Sequence, residues 1–145
     1  MTTAIIKAGF VDFFFEILED ENYQNKVKVD TLWILSNITV GLPEQIESVI
    51  NHPKKLEIIL KFCNSQNTSL AKEATWTLCN VTRGGTESQK QSLISAGIFT
   101  MFRGRLVDPN SSEKVIRTIL EALGNLLSGG VDMETMGPNS YHIMI

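Results

Sequence analysis

The sequence predicts an all-α solenoid built from about three repeats of three helices each. Two observations lead to this fold class. A Trp-and-Asn pattern recurs about every 43 residues, and the hydrophobic period stays near 3.6 residues along the chain. No segment shows the sustained two-residue alternation of a half-buried strand. A chain of 145 residues amounts to one domain.

The repeat is clearest in the segments TLWILSNITVG and ATWTLCNVTRG, in which a Trp precedes an Asn by four residues. Trp33 lies 43 residues before Trp76, and Asn37 lies 43 residues before Asn80. A third copy, ILEALGNLLSGG, places Asn125 45 residues after Asn80. Self-similarity at this period is typical of stacked helical repeats and not of one closed core.

Prolines, glycines and polar runs set the bounds of the predicted helices. The helices are predicted at about 44–50, 54–63, 69–83, 87–95, 98–107 and 112–128. Thr68 or Ser69 is the expected N-cap of the third of these, and Gly84-Gly85 its stop. In each unit the first helix is thus short, the second is intermediate and the third is long. The first unit lacks its opening helix unless residues 2–8 supply one.

These bounds predict a single solenoid domain over residues 1–130, with repeats at about 5–42, 43–85 and 86–130. Residues 131–145 contain Gly and Pro and are too short for another unit. We expect them to form a disordered tail.

A helical wheel places each Trp away from the leucines of its helix. At 100° per residue, Asp30, Trp33 and Asn37 share one narrow face, and the leucines lie opposite. Glu73, Trp76 and Asn80 repeat this arrangement, and Glu121 with Asn125 continues it. Either each Trp is wedged between neighbouring helices, or the row forms an exposed binding surface. Two Trp residues in register favour the binding surface.

Such a surface has the chemistry to hold an extended basic peptide. An Asn side chain both donates and accepts hydrogen bonds, so a ladder of Asn37, Asn80 and Asn125 can hold a peptide backbone. Two Trp faces one repeat apart form a slot for the methylene stem of Lys or Arg. Nearby carboxylates would select the positive end of that side chain. They are Asp30, Glu73 and Glu121.

The Trp-x-x-x-Asn helices, the KAG and SAG openings and the three-helix unit resemble the armadillo repeats of the importin-α family. The stretch DTLWILSNITVGLPEQIESVI is especially similar, and the resemblance covers about residues 5–128. It implies a right-handed armadillo solenoid that acts as a nuclear import adaptor in the cytoplasm and nucleus. Its partners would be the Lys/Arg-rich nuclear localisation signals of cargo proteins. The implied peptide-binding residues are Trp33, Asn37, Trp76, Asn80 and Asn125, with the acids Asp30 and Glu73 and, more weakly, Ser36.

Two Trp–Asn repeats followed by one with Glu in the Trp position resemble the family's minor, C-terminal site. The three consecutive Trp–Asn repeats of the major site are the alternative. The chain also departs from the family, since an Arg-rich segment for importin-β does not precede the repeats, so importin-β is not an expected partner. NHPKK replaces the Ala-Gly hinge of the second unit, and Lys54 and Lys55 there are expected to be solvated.

Composition and charge argue against several other classes of protein. A net charge of −3 argues against a nucleic-acid surface, and the chain lacks an apolar run of the roughly 20 residues needed to cross a membrane. Its start lacks the long apolar core of a signal peptide, so we expect an intracellular protein. Cys63 and Cys79 fall within apolar helical patterns and are expected to be buried and reduced.

We expect no enzymatic activity, no metal and no cofactor. His52 and His142 are not spaced with a Cys or an acid to form a nucleophile–base pair. The main alternative function is a generic armadillo scaffold for a partner outside nuclear import. Homodimerisation through exposed solenoid ends or the aromatic segment FVDFFFEIL is a further possibility.

Overall fold

The computed structural model describes residues 1–128, which form nine α-helices in three successive groups. The helices are α1 (Thr2–Lys7), α2 (Phe10–Glu19), α3 (Asn25–Thr39), α4 (Pro43–Ile50), α5 (Pro53–Cys63), α6 (Thr68–Gly84), α7 (Glu87–Ala96), α8 (Ile98–Val107) and α9 (Glu113–Ser128). This stretch contains helices and turns but no strand, which confirms the predicted all-α fold class. Helix α1 supplies the opening helix of the first repeat. The predicted tail, 131–145, lies outside the described residues.

The sharp corner between the first two helices of a repeat is made in two different ways. Gly9 and Gly97 adopt left-handed conformations, with φ of +81° and +101°, which glycine enters without strain. In the middle repeat, His52 accepts a hydrogen bond from the Lys54 N–H at 3.1 Å, and Pro53 opens the next helix. A side-chain cap with proline thus replaces the glycine.

One N-cap differs from its sequence prediction. Asn67, and neither Thr68 nor Ser69, caps α6, because its Oδ1 accepts from the Ser69 and Leu70 N–H groups at 3.1 Å each. Thr68 is already the first helical residue. The long helix therefore begins with one of the strongest capping side chains.

The core lies behind the long helices and forms one continuous cluster. α6 packs between α3 and α9 and also against α5. Leu32, Leu35 and Leu78 are fully buried, as the helical wheel predicts. In α9 the equivalent Leu120 is exposed, because within residues 1–128 no further repeat packs against it.

Side-chain hydrogen bonds connect each repeat to the next. Gln89 of α7 donates from Nε2 to the Pro43 carbonyl at 2.9 Å and to Glu47 Oε2 at 2.8 Å. Thr77 of α6 donates to the Glu73 carbonyl at 2.8 Å and lies 3.4 Å from the Leu32 carbonyl. These contacts fix the register of adjacent helices as well as their packing.

Lys55 is not the solvated lysine that the sequence predicts. Only 14% of its side chain is exposed, and its Nζ lies 2.9 Å from Asp12 Oδ1 and 3.0 Å from the Ser48 carbonyl. The ammonium also lies 5.4 Å from the centroid of the Phe15 ring. The prediction was wrong because α5 places this side chain between two repeats. Lys54, by contrast, is exposed and pairs with Glu19 at 3.5 Å.

None of the helices in residues 1–128 combines the length and apolar character needed to cross a membrane. The same stretch shows no cluster of three or more His, Cys, Asp or Glu side chains arranged to hold a metal ion.

Candidate peptide-binding groove

The face formed by α3, α6 and α9 carries an open cleft of about 310 Å³, which we call the Trp cleft. Side chains of all three long helices line it. They are Trp33, Ser36, Asn37, Val40, Lys72, Glu73, Trp76, Asn80, Arg83 and Lys114. A smaller hollow of about 70 Å³ adjoins it and is lined in part by Trp76, Glu121 and Asn125. Eight of the nine residues proposed from the sequence therefore line one continuous surface, and Asp30 lies one turn before Trp33.

The two tryptophans occupy different environments within the cleft. Trp33 is 56% exposed, so more than half of its side chain is open to solvent. Trp76 is partly buried, and the Lys114 ammonium lies 4.9 Å from the centroid of its ring. Trp33 therefore presents an open aromatic face, whereas Trp76 already carries a cation.

The three asparagines do not form a uniform ladder. Asn37 is exposed, but Asn80 is only 6% exposed and donates from Nδ2 to the Ser36 carbonyl at 3.0 Å. Asn125 donates from Nδ2 to Thr82 Oγ1 at a long 3.4 Å. In α6 and α9 the amide thus bonds to the preceding long helix, and Asn37 is the most open of the three to a ligand.

Ser36 is buried and takes part in the same inter-helix contact. Its hydroxyl donates to the Trp33 carbonyl at 2.7 Å, and its own carbonyl accepts from Asn80 and, at 2.9 Å, from the Thr39 hydroxyl. These bonds place Ser36 in the wall that holds Trp33 and Asn80 in position.

The acids of the row also differ from one another. Asp30 is exposed, and within residues 1–128 no cation lies within 4 Å of its carboxylate. Only 16% of the Glu73 side chain is exposed, and it lies 3.8 Å from Lys72 Nζ. Glu121 forms a hydrogen-bonded ion pair with Arg83. Among the acids of this row, Asp30 is therefore the one whose carboxylate is not paired with a cation from the described residues.

Three cations of the cleft were missed in the sequence analysis. Lys72 precedes Glu73, Arg83 lies one turn beyond Asn80, and Lys114 lies one turn before Thr118. The signal was present in the helical wheel, since residues three or four positions apart share a face. Their effect on ligand charge depends on inter-helix distances, which the wheel does not give.

Both cysteines are buried as predicted, and Cys79 lies in the wall of the smaller hollow beside the Trp cleft. Burial raises the pKa of the Cys63 thiol to about 12 and raises that of Cys79 as well. Both thiols therefore stay protonated near neutral pH, and a protonated thiol is a poor nucleophile. They act as small apolar side chains in the core.

Comparison with known proteins relates the chain to importin-α subunits. Importin subunit alpha-2 of Arabidopsis thaliana is 34% identical over 77 residues, which are 53% of this chain and 14% of that protein. Importin subunit alpha-1a of Oryza sativa subsp. japonica is 30% identical over 95 residues, or 66% of this chain and 18% of that protein. The chain thus spans less than a fifth of the length of these two relatives. No family model matches the sequence.

Solved structures with the same fold include designed armadillo repeat proteins. One superimposes with a TM-score of 0.75 at 25% identity and covers 86% of this chain and 50% of its own. Another, solved in complex with peptide (KR)4, has a TM-score of 0.74 at 26% identity and covers 89% and 56%. The sequence relatives and the structural neighbours agree on one fold. The chain therefore has the armadillo-repeat fold, and part of its sequence is similar to importin-α subunits.

Proposed function

We propose that the chain binds Lys/Arg-rich peptide segments in an extended conformation along the Trp cleft, as an adaptor for nuclear localisation signals. The observation that carries this proposal is the pairing of Trp33 and Trp76 in one solvent-open cleft, one repeat apart and lined by Asn37 and Asn80.

The repeat spacing fits a peptide strand. Packed helices lie roughly 8–10 Å apart, and an extended chain advances roughly 3.3 Å per residue, so one repeat matches about three peptide residues. A basic side chain that stacks on Trp33 would have its charged end near the free carboxylate of Asp30, three residues earlier on the same helix face. Asn37, one turn later on that face, is placed to bond to the peptide backbone.

The comparisons support the ligand class. A designed protein of the same fold binds a peptide of alternating Lys and Arg, and the sequence relatives are importin-α subunits. Cargo proteins with exposed basic segments are the proposed partners. The cytoplasm and nucleus are the compartments in which such an adaptor works.

One observation favours the alternative, a scaffold for peptides that are not wholly basic. Lys72, Arg83 and Lys114 all line the Trp cleft and repel a uniformly positive ligand. Binding of peptides with different charge patterns separates the two functions.

The test is a fluorescence anisotropy titration with a labelled lysine-rich signal peptide and a control peptide of the same length in which Glu replaces every basic residue. We expect the lysine-rich peptide to bind more tightly and its affinity to fall with added salt. Trp33→Ala should weaken it about tenfold or more, because stacking and desolvation of the lysine stem are both lost. Equal binding of the two peptides would favour the generic scaffold.

Phe99→Ala is the matched control for Trp33→Ala. Phe99 is an aromatic residue of similar exposure, 47%, on α8 and outside the Trp cleft. Its truncation should leave peptide affinity unchanged. If both variants weaken binding alike, the peptide does not bind in the Trp cleft.

A further inference from the structure

We propose that the Trp cleft selects a peptide of mixed charge, with a basic side chain at Trp33 and an acidic side chain at the Trp76 end. This inference rests on the proposal above that a peptide binds in the Trp cleft through a basic side chain, and it specifies the charge pattern of that peptide. Two features of α6 and α9 carry it: a lysine already stacked on Trp76, and cations that neutralise both acids of that end.

The first feature is the position of Lys114. Its Nζ lies 4.9 Å from the centroid of the Trp76 ring, within the range of a cation–π contact. A ligand lysine that stacked on Trp76 would occupy the same space, so it would first have to displace Lys114. Among residues 1–128, by contrast, no cation covers the ring face of Trp33.

The second feature is the balance of charge along the cleft. At the Trp76 end, each acid is paired with a cation: Glu73 lies beside Lys72, and Glu121 is bonded to Arg83. Lys114, by contrast, has no carboxylate within 4 Å among residues 1–128. At the Trp33 end, Asp30 carries a negative charge without a paired cation in that stretch. The Trp33 end therefore attracts a cation, and the Trp76 end attracts an anion.

An acidic ligand side chain avoids the displacement. A carboxylate can pair with the Lys114 ammonium while that ammonium stays on the indole. Because one repeat matches about three residues of an extended peptide, the preferred acid lies about three positions from the basic residue.

The test compares two labelled peptides that share a Lys-Arg pair and differ at one position, three residues from that pair. One peptide carries Lys there and the other carries Glu, and each is made with the variable residue before or after the pair. The dissociation constants are measured for the 145-residue chain, for Lys114→Ala and for Lys61→Ala. Lys61 is an exposed lysine on α5 that does not line the cleft, so its variant controls for net charge.

The unaltered chain and Lys61→Ala should prefer the Glu peptide in at least one of the two orders. Lys114→Ala should shift the Glu-to-Lys preference toward the Lys peptide by about fivefold or more, since it uncovers Trp76 and removes the ligand's counter-charge. An unchanged preference in Lys114→Ala would overturn this inference and leave the proposed function intact. Failure of both peptides to bind better than a peptide without the Lys-Arg pair would overturn both.

Discussion

At the scale of single residues, the same residue type has different roles at equivalent positions of two repeats. Asn37 and Asn80 both follow a Trp by four residues, yet Asn37 is exposed and Asn80 is buried. The difference arises because α6 has α3 on one side of it, with the Ser36 carbonyl 3.0 Å from the Asn80 amide. Identity in sequence therefore does not imply an equal role in binding.

This contrast leads to a prediction for stability. Asn80→Ala should lower the free energy of unfolding by about 1–3 kcal/mol, because the Ser36 carbonyl loses the buried hydrogen bond that the Asn80 amide donates. Asn37→Ala, the matched control, should change stability by at most about 0.5 kcal/mol, because its side chain is exposed. Urea unfolding followed by circular dichroism measures both. Equal losses would show that Asn80 does not hold the two helices together.

The sequence predicts the direction of these side chains but not their partners. Periodicity within one helix was enough to place Trp33 and Asn37 on a face opposite Leu35. It does not report the register between α3 and α6, and that register decides whether Asn80 reaches a carbonyl. For the same reason the contact of Lys114 with Trp76 was not predictable, because the two residues lie 38 positions apart on different helices.

At the scale of helices, capping chemistry fixes where each element begins. The bounds of α4, α5, α7 and α8 agree with the sequence prediction to within one residue, because Pro, Gly and Thr caps mark them directly. The α6 cap was misplaced by one or two residues in a run of polar side chains, NSQNTS, in which several residues are capable of capping.

A pair of variants tests the observed cap of α6. Asn67→Ala should destabilise the chain by about 1 kcal/mol, because two N–H groups of the first turn lose their acceptor. Thr68→Ala should have a much smaller effect, since Thr68 is exposed and already helical. If Thr68 were the cap, thermal unfolding would show a larger loss of stability for Thr68→Ala than for Asn67→Ala.

At the scale of the whole molecule, both ends of the described solenoid expose positions that the middle repeat buries. Phe13 in α2 is 45% exposed, whereas Leu56, its equivalent in α5, is 3% exposed. Val27 in α3 is likewise exposed, whereas its equivalent in α6, Leu70, is buried. At the other end Leu120 is exposed, and its equivalent Thr75 is buried. Each end therefore presents the surface that a neighbouring repeat would cover.

We therefore predict concentration-dependent self-association of the 145-residue chain through these end surfaces. Light scattering should show a mean mass that rises with concentration, and Phe13→Asp should reduce the rise, because a charge at that surface opposes apolar contact. Leu42→Asp is the control, since Leu42 is exposed in the loop before α4. A constant monomer mass at all concentrations would exclude association through the ends.

The hydrogen bonds from Gln89 back to Pro43 and Glu47 have a consequence for folding during synthesis on the ribosome. Gln89 lies 46 residues after Pro43 and 42 residues after Glu47, and the Asn80–Ser36 bond spans a similar interval of 44. Each unit of a growing chain can therefore complete its packing once roughly forty further residues have emerged, without waiting for the end of translation. Folding of this kind proceeds vectorially, and it shortens the time for which a newly made apolar surface stays uncovered.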